Sequence, residues 1–407
     1  KMAEIRTIPE KILASGIKDT SIDDVSKFDK EVIHHNAGAP TAADDTGLGY
    51  AVGSIWVDST NGDMYTAVSV TAEDANWKNM EGDEVNPPFT MQGSNNGWTA
   101  GGGVDPGPSP SIGSLNFITQ WTFASDVGSG TDWGDLTHTL AKGNKGSARD
   151  DTRTLVLGGH SSHSPPTGVQ DIMQTYLFAS PGNATDVGEM TQAMQDTASA
   201  PDGSYVLNTG GYSPSSPPAD DSFETMDKIA LTSPYAKTDI DEMSSGRYAH
   251  QGAGDTTYMY VSGGVGPGFI DTIERWQHSV ETGSWGDVGE LSQLQGYAGV
   301  VSGPTHVVTG GGAPGYWSNI MERYAYASSG NGADVGETAQ IGVTAGSAGP
   351  SYGYFIGGNK PSPAPQSVDT CSRMAYSATS GGTTDCGEIG GANYPGKGFT
   401  GGFGSEN

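Results

Sequence analysis

Six short acidic motifs are the first residues whose spacing suggests chemistry. They read Thr131-Asp-Trp-Gly-Asp135, Thr185-Asp-Val-Gly-Glu189, Thr238-Asp-Ile-Asp-Glu242, Gly286-Asp-Val-Gly-Glu290, Ala333-Asp-Val-Gly-Glu337 and Thr384-Asp-Cys-Gly-Glu388. Two carboxylates three residues apart can act as acid and base, or ligate calcium. A catalytic pair, however, needs one environment that splits its two pKa values, and six equivalent copies argue against that. Asp132, Asp186, Asp239, Asp287, Asp334 and Asp385 therefore read as a repeated structural motif, making turns and side-chain hydrogen bonds at a recurring corner. A weak cation at a seam is the other reading. His160 and His163 share one loop and are able to touch a metal or a sugar, although a solvated pair is the plainer reading. Tyr316 and Trp317 are placed to stack on a glycan. Tyr212 and Phe269 complete the loop candidates for binding. The chain has no Gly-x-Ser-x-Gly elbow, phosphate loop, His-Glu-x-x-His or cysteine cluster. No catalytic residue, metal or cofactor is expected, and the chain is read as a non-enzyme.

Charge narrows the partners. Forty-seven acidic residues against 19 basic ones leave a net charge of −28. Nucleic acid and anionic membranes are repelled by such a surface, so neither is an expected partner. The amino terminus carries charges without an apolar core segment, and no run approaches a membrane span, so no signal peptide and no membrane insertion are expected. Cys371 and Cys386 stand where sister repeats carry Met, Ile or Val. They read as small buried hydrophobes on neighbouring strands, with a single bridge as the alternative.

The elements that hold these residues follow from spacing. Glycine contributes 63 residues and charged residues only 16%, with few large aliphatics. Composition of that kind borders on disorder, yet the apolar residues recur in register, as short strands joined by many turns require. Residues 1–38 form an amino-terminal segment in which Ile22, Val25, Phe28 and Val32 predict a short helix over 21–34, with His34-His35 as its solvated end. Residues 39–86 form a small β-module: Ser54-Ile-Trp-Val-Asp58 alternates, Asn61-Gly62 turns, Asp63–Val68 returns, and Trp77 adds an aromatic anchor.

From 87 to 407 the chain repeats six times. Gly102-Gly103, Gly158-Gly159, Gly210-Gly211, Gly263-Gly264, Gly311-Gly312 and Gly357-Gly358 end short strands. Each pair is followed by an apolar anchor and a second apolar residue three later: Ile118 and Trp121, Met173 and Tyr176, Met226 and Ile229, Ile273 and Trp276, Met321 and Tyr324, Cys371 and Met374. The acidic motif comes third. A period of about fifty residues is the length of a kelch-type blade. The expected fold is all-β, a six-bladed kelch-like β-propeller, with the glycine-pair strand nearest the axis and the tail Tyr394–Gly404 completing the first blade. Loops after the glycine pairs are longest in blades six, one, two and three, which in a closed ring would form a crescent on one face.

The stretch Pro40-Thr41, Gly49-Tyr-Ala-Val-Gly-Ser-Ile-Trp-Val-Asp58, Asn61-Gly-Asp-Met-Tyr65 and Trp77 resembles a small module of phage tail-fibre proteins. The repeat region is similar to kelch-like propellers of phage structural proteins, without the regular Trp and paired Tyr of the cellular kelch signature. That resemblance implies a virion protein, assembled in the host cytoplasm: a tail-fibre or appendage component held by its amino-terminal region. Its expected partners are other virion proteins, a host-surface glycan or protein, and further copies of itself through the amino-terminal region. A capsid decoration protein without host contact is the alternative, and a glycan-active enzyme the third.

Overall fold

The computed structural model describes residues 33–60, 62–72, 74–79, 89–104, 113–124, 127–128, 130–161, 168–214, 222–278, 283, 285–312, 318–339, 345–360, 366–389 and 402–403. The described chain is almost wholly β, with one short 3-10 turn at Thr46–Leu48 and no α-helix among the described residues. It divides into two units, Lys1–Pro88 and Phe89–Asn407.

In the small unit, Ile33–Asn36, Ile55–Asp58, Met64–Thr71 and Asp74–Asn79 make one four-stranded sheet. Its first strand corrects the expected helix end: Ile33–Asn36 is extended and pairs parallel with Ile55–Asp58. His34 packs its ring against Tyr50 at 4.4 Å instead of ending a helix in solvent. The rest of the expected helix, residues 21–32, lies outside the described residues. Tyr50, Trp56, Tyr65 and Trp77 form the core of this unit with Ala67 and Ala75. Asp58, fully buried, ties the layer together by accepting the backbone N–H of Gly38 and Thr60 at 2.9 and 2.7 Å.

Among the described residues the large unit contains six successive larger sheets, antiparallel but for one short pairing, and a two-stranded ribbon of Asn359–Lys360 with Gln366–Ser367. The third to sixth each run through four strands in order, as in Gln251–Gly254, Tyr258–Ser262, Thr272–Gln277 and Gly286–Glu290. The second holds Arg153–Ser161, Gly168–Leu177 and Thr185–Glu189, while the short strand Lys145–Gly146 that precedes it in the chain joins the third, pairing parallel with Ala198–Ser199. In the first sheet, Gly402–Phe403 pairs antiparallel with Asn96–Ala100, where the tail was expected to lie.

The three-residue spacing of the anchors explains how the sheets cohere. An odd separation puts two side chains on opposite faces of a strand. Ile118 accordingly meets Tyr176 of the second sheet, Met173 meets Ile229 of the third, and Met226 meets Trp276 of the fourth. Ile273 joins Tyr324, Met321 joins Met374, and Cys371 of the sixth sheet joins Trp121 of the first. Each sheet thus shares one buried apolar cluster with the next, and the sixth shares one with the first.

The innermost strands are those before the glycine pairs, not the glycine-pair strands themselves. Ala198–Pro201, Gln251–Gly254, Gly299–Ser302 and Ala345–Ala348 lie side by side, and Gly252 and Gly346 let backbone meet backbone at Ser199 and Val300. A methyl on Gly252 would stand 2.6 Å from the Ser199 amide nitrogen and 2.8 Å from its oxygen. Gly252→Ala should therefore cost about 1–3 kcal/mol by overpacking. Gly286→Ala, with nothing within 4 Å of its new methyl, should change stability by no more than about 0.5 kcal/mol. Urea midpoints of the two variants measure the difference; equal midpoints would refute the close approach.

Between these strands lies a small cavity of about 10 Å³, lined by Gly146, Gly252, Val300, Gly346 and Met91 among others. The segment Phe89–Gly93 runs across one end of it. Arg149 stacks over the Phe89 ring at 4.9 Å and donates to the Thr90 carbonyl. Gln92 donates to the Ser302 carbonyl at 2.7 Å, and the Gly93 N–H donates to Ala348 O at 2.8 Å.

Candidate functional site

The acidic motifs do not form a corner turn; they form a bulge within the outermost strand of each sheet. Five of the aspartates accept the N–H of the glycine two residues on: Asp132, Asp186, Asp287, Asp334 and Asp385, at 2.8–3.1 Å. Register slips by one residue there, as between Met173–Gly188 and Gln174–Asp186, so the residue after each aspartate is the extra one. The bulge glycines take up left-handed φ values of 119–156°. In the third sheet Asp241 replaces the glycine and accepts the Glu242 N–H at 2.7 Å, beside an exposed Asp239. All six aspartates are exposed on the outer strands, one per sheet. The bulge turns backbone carbonyls toward the next sheet: Trp133 O accepts Gly182 N–H, Val288 O accepts Gly330 N–H, and Cys386 O accepts Val127 N–H of the first sheet, at 2.7–2.8 Å.

A second set of polar residues escaped sequence reasoning. The residue after each anchor is buried, and in the second to fifth sheets its side chain clasps the preceding sheet or the segment leading from it. Gln174 accepts both Thr137 N–H and O–H at 2.6 Å. Asp227 accepts the Thr191 hydroxyl at 2.7 Å, Glu322 accepts the Ser292 N–H at 2.6 Å, and Glu274 pairs with the equally buried Arg247. Burial pushes the Glu322 carboxyl above its ordinary range, and nearby Asp334 adds to the effect, against the opposing pull of the Ser292 hydrogen bond. The folded protein then holds this proton where the unfolded chain has lost it, so stability falls as pH rises from the ordinary Glu range through the raised value. Glu322→Gln keeps an acceptor for Ser292 and should flatten that slope, leaving stability at neutral pH equal or higher. Thermal melts between acid and neutral pH would show it; an unchanged slope would remove Glu322 from the account.

The loop candidates gather where the glycine pairs turn. In this turn two successive residues are left-handed, with φ of 53° and 101° at Gly158 and Gly159, which glycine alone adopts without strain. The second glycine donates to the segment entering the next sheet, as Gly159 N–H does to Met194 O and Gly211 N–H to Arg247 O, at 2.7 and 2.9 Å. The following residue then bridges to the segment entering its own sheet: His160 with Ala141, Tyr212 with Gln195 and Val265 with Tyr248.

Four residues of these segments, Lys142, Asp196, Ala249 and Tyr297, are themselves left-handed, with φ of 52–57°. Such non-glycine conformations cost of order 1 kcal/mol and persist only where the surroundings impose them. Here a belt imposes them: Asp196 N–H donates to Lys142 O, Ala249 N–H to Asp196 O and Tyr297 N–H to Ala249 O, each at 2.8 Å.

Along this belt Tyr212 meets Tyr248 at 5.1 Å and Tyr248 meets Tyr297 at 6.2 Å, an aromatic arc crossing the third, fourth and fifth sheets. Phe269 is half-buried beside it, close against Gly296. His160 stands at one end on the second sheet; burial, with the Lys142 charge, holds its pKa below the usual imidazole value. Lys145 and Asp196 are buried beneath, where desolvation lowers the first and raises the second while their opposite charges oppose both shifts. Tyr212, Phe269 and His160 are thus brought into one region, joined by Tyr248 and Tyr297, whose equivalent places before the inner strands were the available signal. His163, Tyr316, Trp317 and most of the long loops of the expected crescent lie outside the described residues. Aromatic faces over a rigid backbone belt suit stacking on a sugar ring or an apolar side chain.

The small unit presents a different surface. Ile33 pairs with Ile55 and Met64 with Val57, so these four share the sheet face opposite the Trp56 and Trp77 core. Of the large hydrophobics exposed among the described residues, Ile33, Leu48, Val52, Met64 and Val68 are in this unit, and only Leu177 and Leu294 are in the other.

No family model matches the chain, and no curated protein sequence does. Solved structures are similar to it: one described as "Structure of YjhT" aligns over 71% of this chain and 97% of its own, with a TM-score of 0.54 at 12% identity. That is a likeness of fold alone.

Proposed function

We propose that this chain is a non-enzymatic virion protein, a tail-fibre or appendage component whose large unit is a six-bladed kelch-like propeller. Its amino-terminal region attaches it to the particle, together with further copies of itself, and the propeller is presented to a host surface or to another virion protein. The observation that carries the reading is a fibre-like module with an open apolar sheet face, joined in one chain to six repeated sheets. Large exposed apolar patches mark interaction sites, and this one is concentrated in the unit read as the attachment point. The cyclic order of the six apolar clusters supports a closed propeller, as does the pairing of Gly402–Phe403 with the first sheet. The spread of exposed aspartates, one per sheet, supports architecture over acid–base catalysis.

On this reading the half-buried Tyr212 and Tyr248, backed by the buried Tyr297, are the contact surface. Tyr212→Ala combined with Tyr248→Ala should weaken binding of the purified chain to host cells or to its virion partner about 10-fold, the size expected for one to two lost aromatic contacts. The melting curve of the large unit should persist. Binding that survives in a folded double variant would move the contact surface elsewhere.

A further inference from the structure

The two cysteines occupy a position that no other repeat uses in this way. Each repeat sets its anchor beside the bulge residue of the neighbouring outer strand: Ile118 with Trp133, Met173 with Val187, Met226 with Ile240, Ile273 with Val288, and Met321 with Val335. In the sixth repeat the same two places hold Cys371 and Cys386. Without the bulge, successive residues would alternate between faces; the extra residue instead turns Cys386 inward toward Cys371. Both are buried, and their sulfurs are 3.2 Å apart. An approach of about 1 Å brings them within bonding distance.

The place of this pair in the molecule gives a bond there a purpose. Neighbouring sheets one to six are joined in turn by continuous chain, whereas the chain leaving the sixth returns to the first only as the short strand Gly402–Phe403, which is held there by pairing with Asn96–Ala100. The outer strand Thr384–Glu388 and the residue after it carry two further contacts with the first sheet: Cys386 O accepts the Val127 N–H at 2.8 Å, and Ile389 O accepts the Gly130 N–H at 2.9 Å. Trp121 and Val127 of the first sheet pack on both cysteines in one cluster.

We propose that Cys371 and Cys386 are a modification site that oxidises to an intrachain disulfide, locking the strand on which the first sheet closes. The two thiols lose two protons and two electrons as one sulfur–sulfur bond forms. A small-molecule disulfide accepts them, its own bond breaking to leave two thiols. Exchange needs a thiolate, and burial raises the Cys371 thiol well above its ordinary value, so the bond forms as the strand breathes.

Intact mass of the full chain, incubated with oxidised glutathione in mild urea and then denatured and alkylated with N-ethylmaleimide, decides the matter. The expected product is lighter by two hydrogens and takes up no maleimide. Reduction should lower its melting temperature by about 4 °C, the shift expected for a short loop closed within a large unit. Cys386→Val, which restores the residue of three sister repeats, should show no redox-dependent shift. Two maleimides on the treated wild-type chain, or two separate glutathione adducts, would overturn the proposal.

Discussion

Replacing Arg247 by Ala should destabilise the large unit by about 3–5 kcal/mol, the cost of leaving a buried partner charge unpaired. Arg247 and Glu274 are 1% and 2% exposed, and their ion pair joins the segment entering the fourth sheet to the third strand of that sheet. The guanidinium also donates to Ser245 Oγ at 3.2 Å and, weakly, to Gly263 O at 3.4 Å. Its loss therefore strips several acceptors at once. Burial lowers the Arg247 pKa, and the Glu274 charge opposes that shift. The double variant Arg247→Met with Glu274→Met should recover most of the loss, because apolar residues of similar volume avoid the desolvation penalty altogether. Chemical denaturation of the three proteins measures this. A single variant as stable as the double one would show that the pair is not a clasp.

Trp77→Ala should have a larger consequence in the small unit. Trp77 is fully buried, meets Tyr50 at 5.4 Å and Trp56 at 5.8 Å, and donates its indole N–H to the Asp44 carbonyl at 3.2 Å. Truncating such a residue costs about 3–5 kcal/mol. A sheet of this size has a total stability of only a few kcal/mol, roughly 0.05–0.15 per residue. The unit should therefore unfold outright while the large unit melts as before. Self-association measured by light scattering, and incorporation into particles, should be lost together. Retained incorporation would place attachment outside the module.

Much of the large unit was legible because its signal is periodic. Six anchors, each followed three residues later by a second apolar residue, carry both faces of every third strand, and every one of these pairs lies in the seams described above. What stayed hidden depends on partners distant in the chain. Ile33–Asn36 continues an apolar pattern that fits a helix, yet parallel pairing with Ile55–Asp58 makes it a strand. Asp-x-Gly is strong turn chemistry, and its bulge differs from a turn only because the strand carries on pairing on both sides. The innermost strands, such as Ala198-Ser-Ala-Pro201, carry small residues with no alternation, so their place beside one another left no trace in hydropathy. In the proposed contact region Tyr212 was visible beside its glycine pair, whereas Tyr248 and Tyr297 sit in segments that look like plain connections. The buried clasps are polar residues directly after the anchors, where an alternating pattern is taken to point outward.

The most direct test of the central claim is the position of this chain on intact particles, read by imaging particles labelled with an antibody to the large unit. The account predicts label on a tail appendage, with the amino-terminal region toward the particle and the six-bladed ring facing outward. Label spread over the capsid shell, or purified particles that lack the chain, would contradict it.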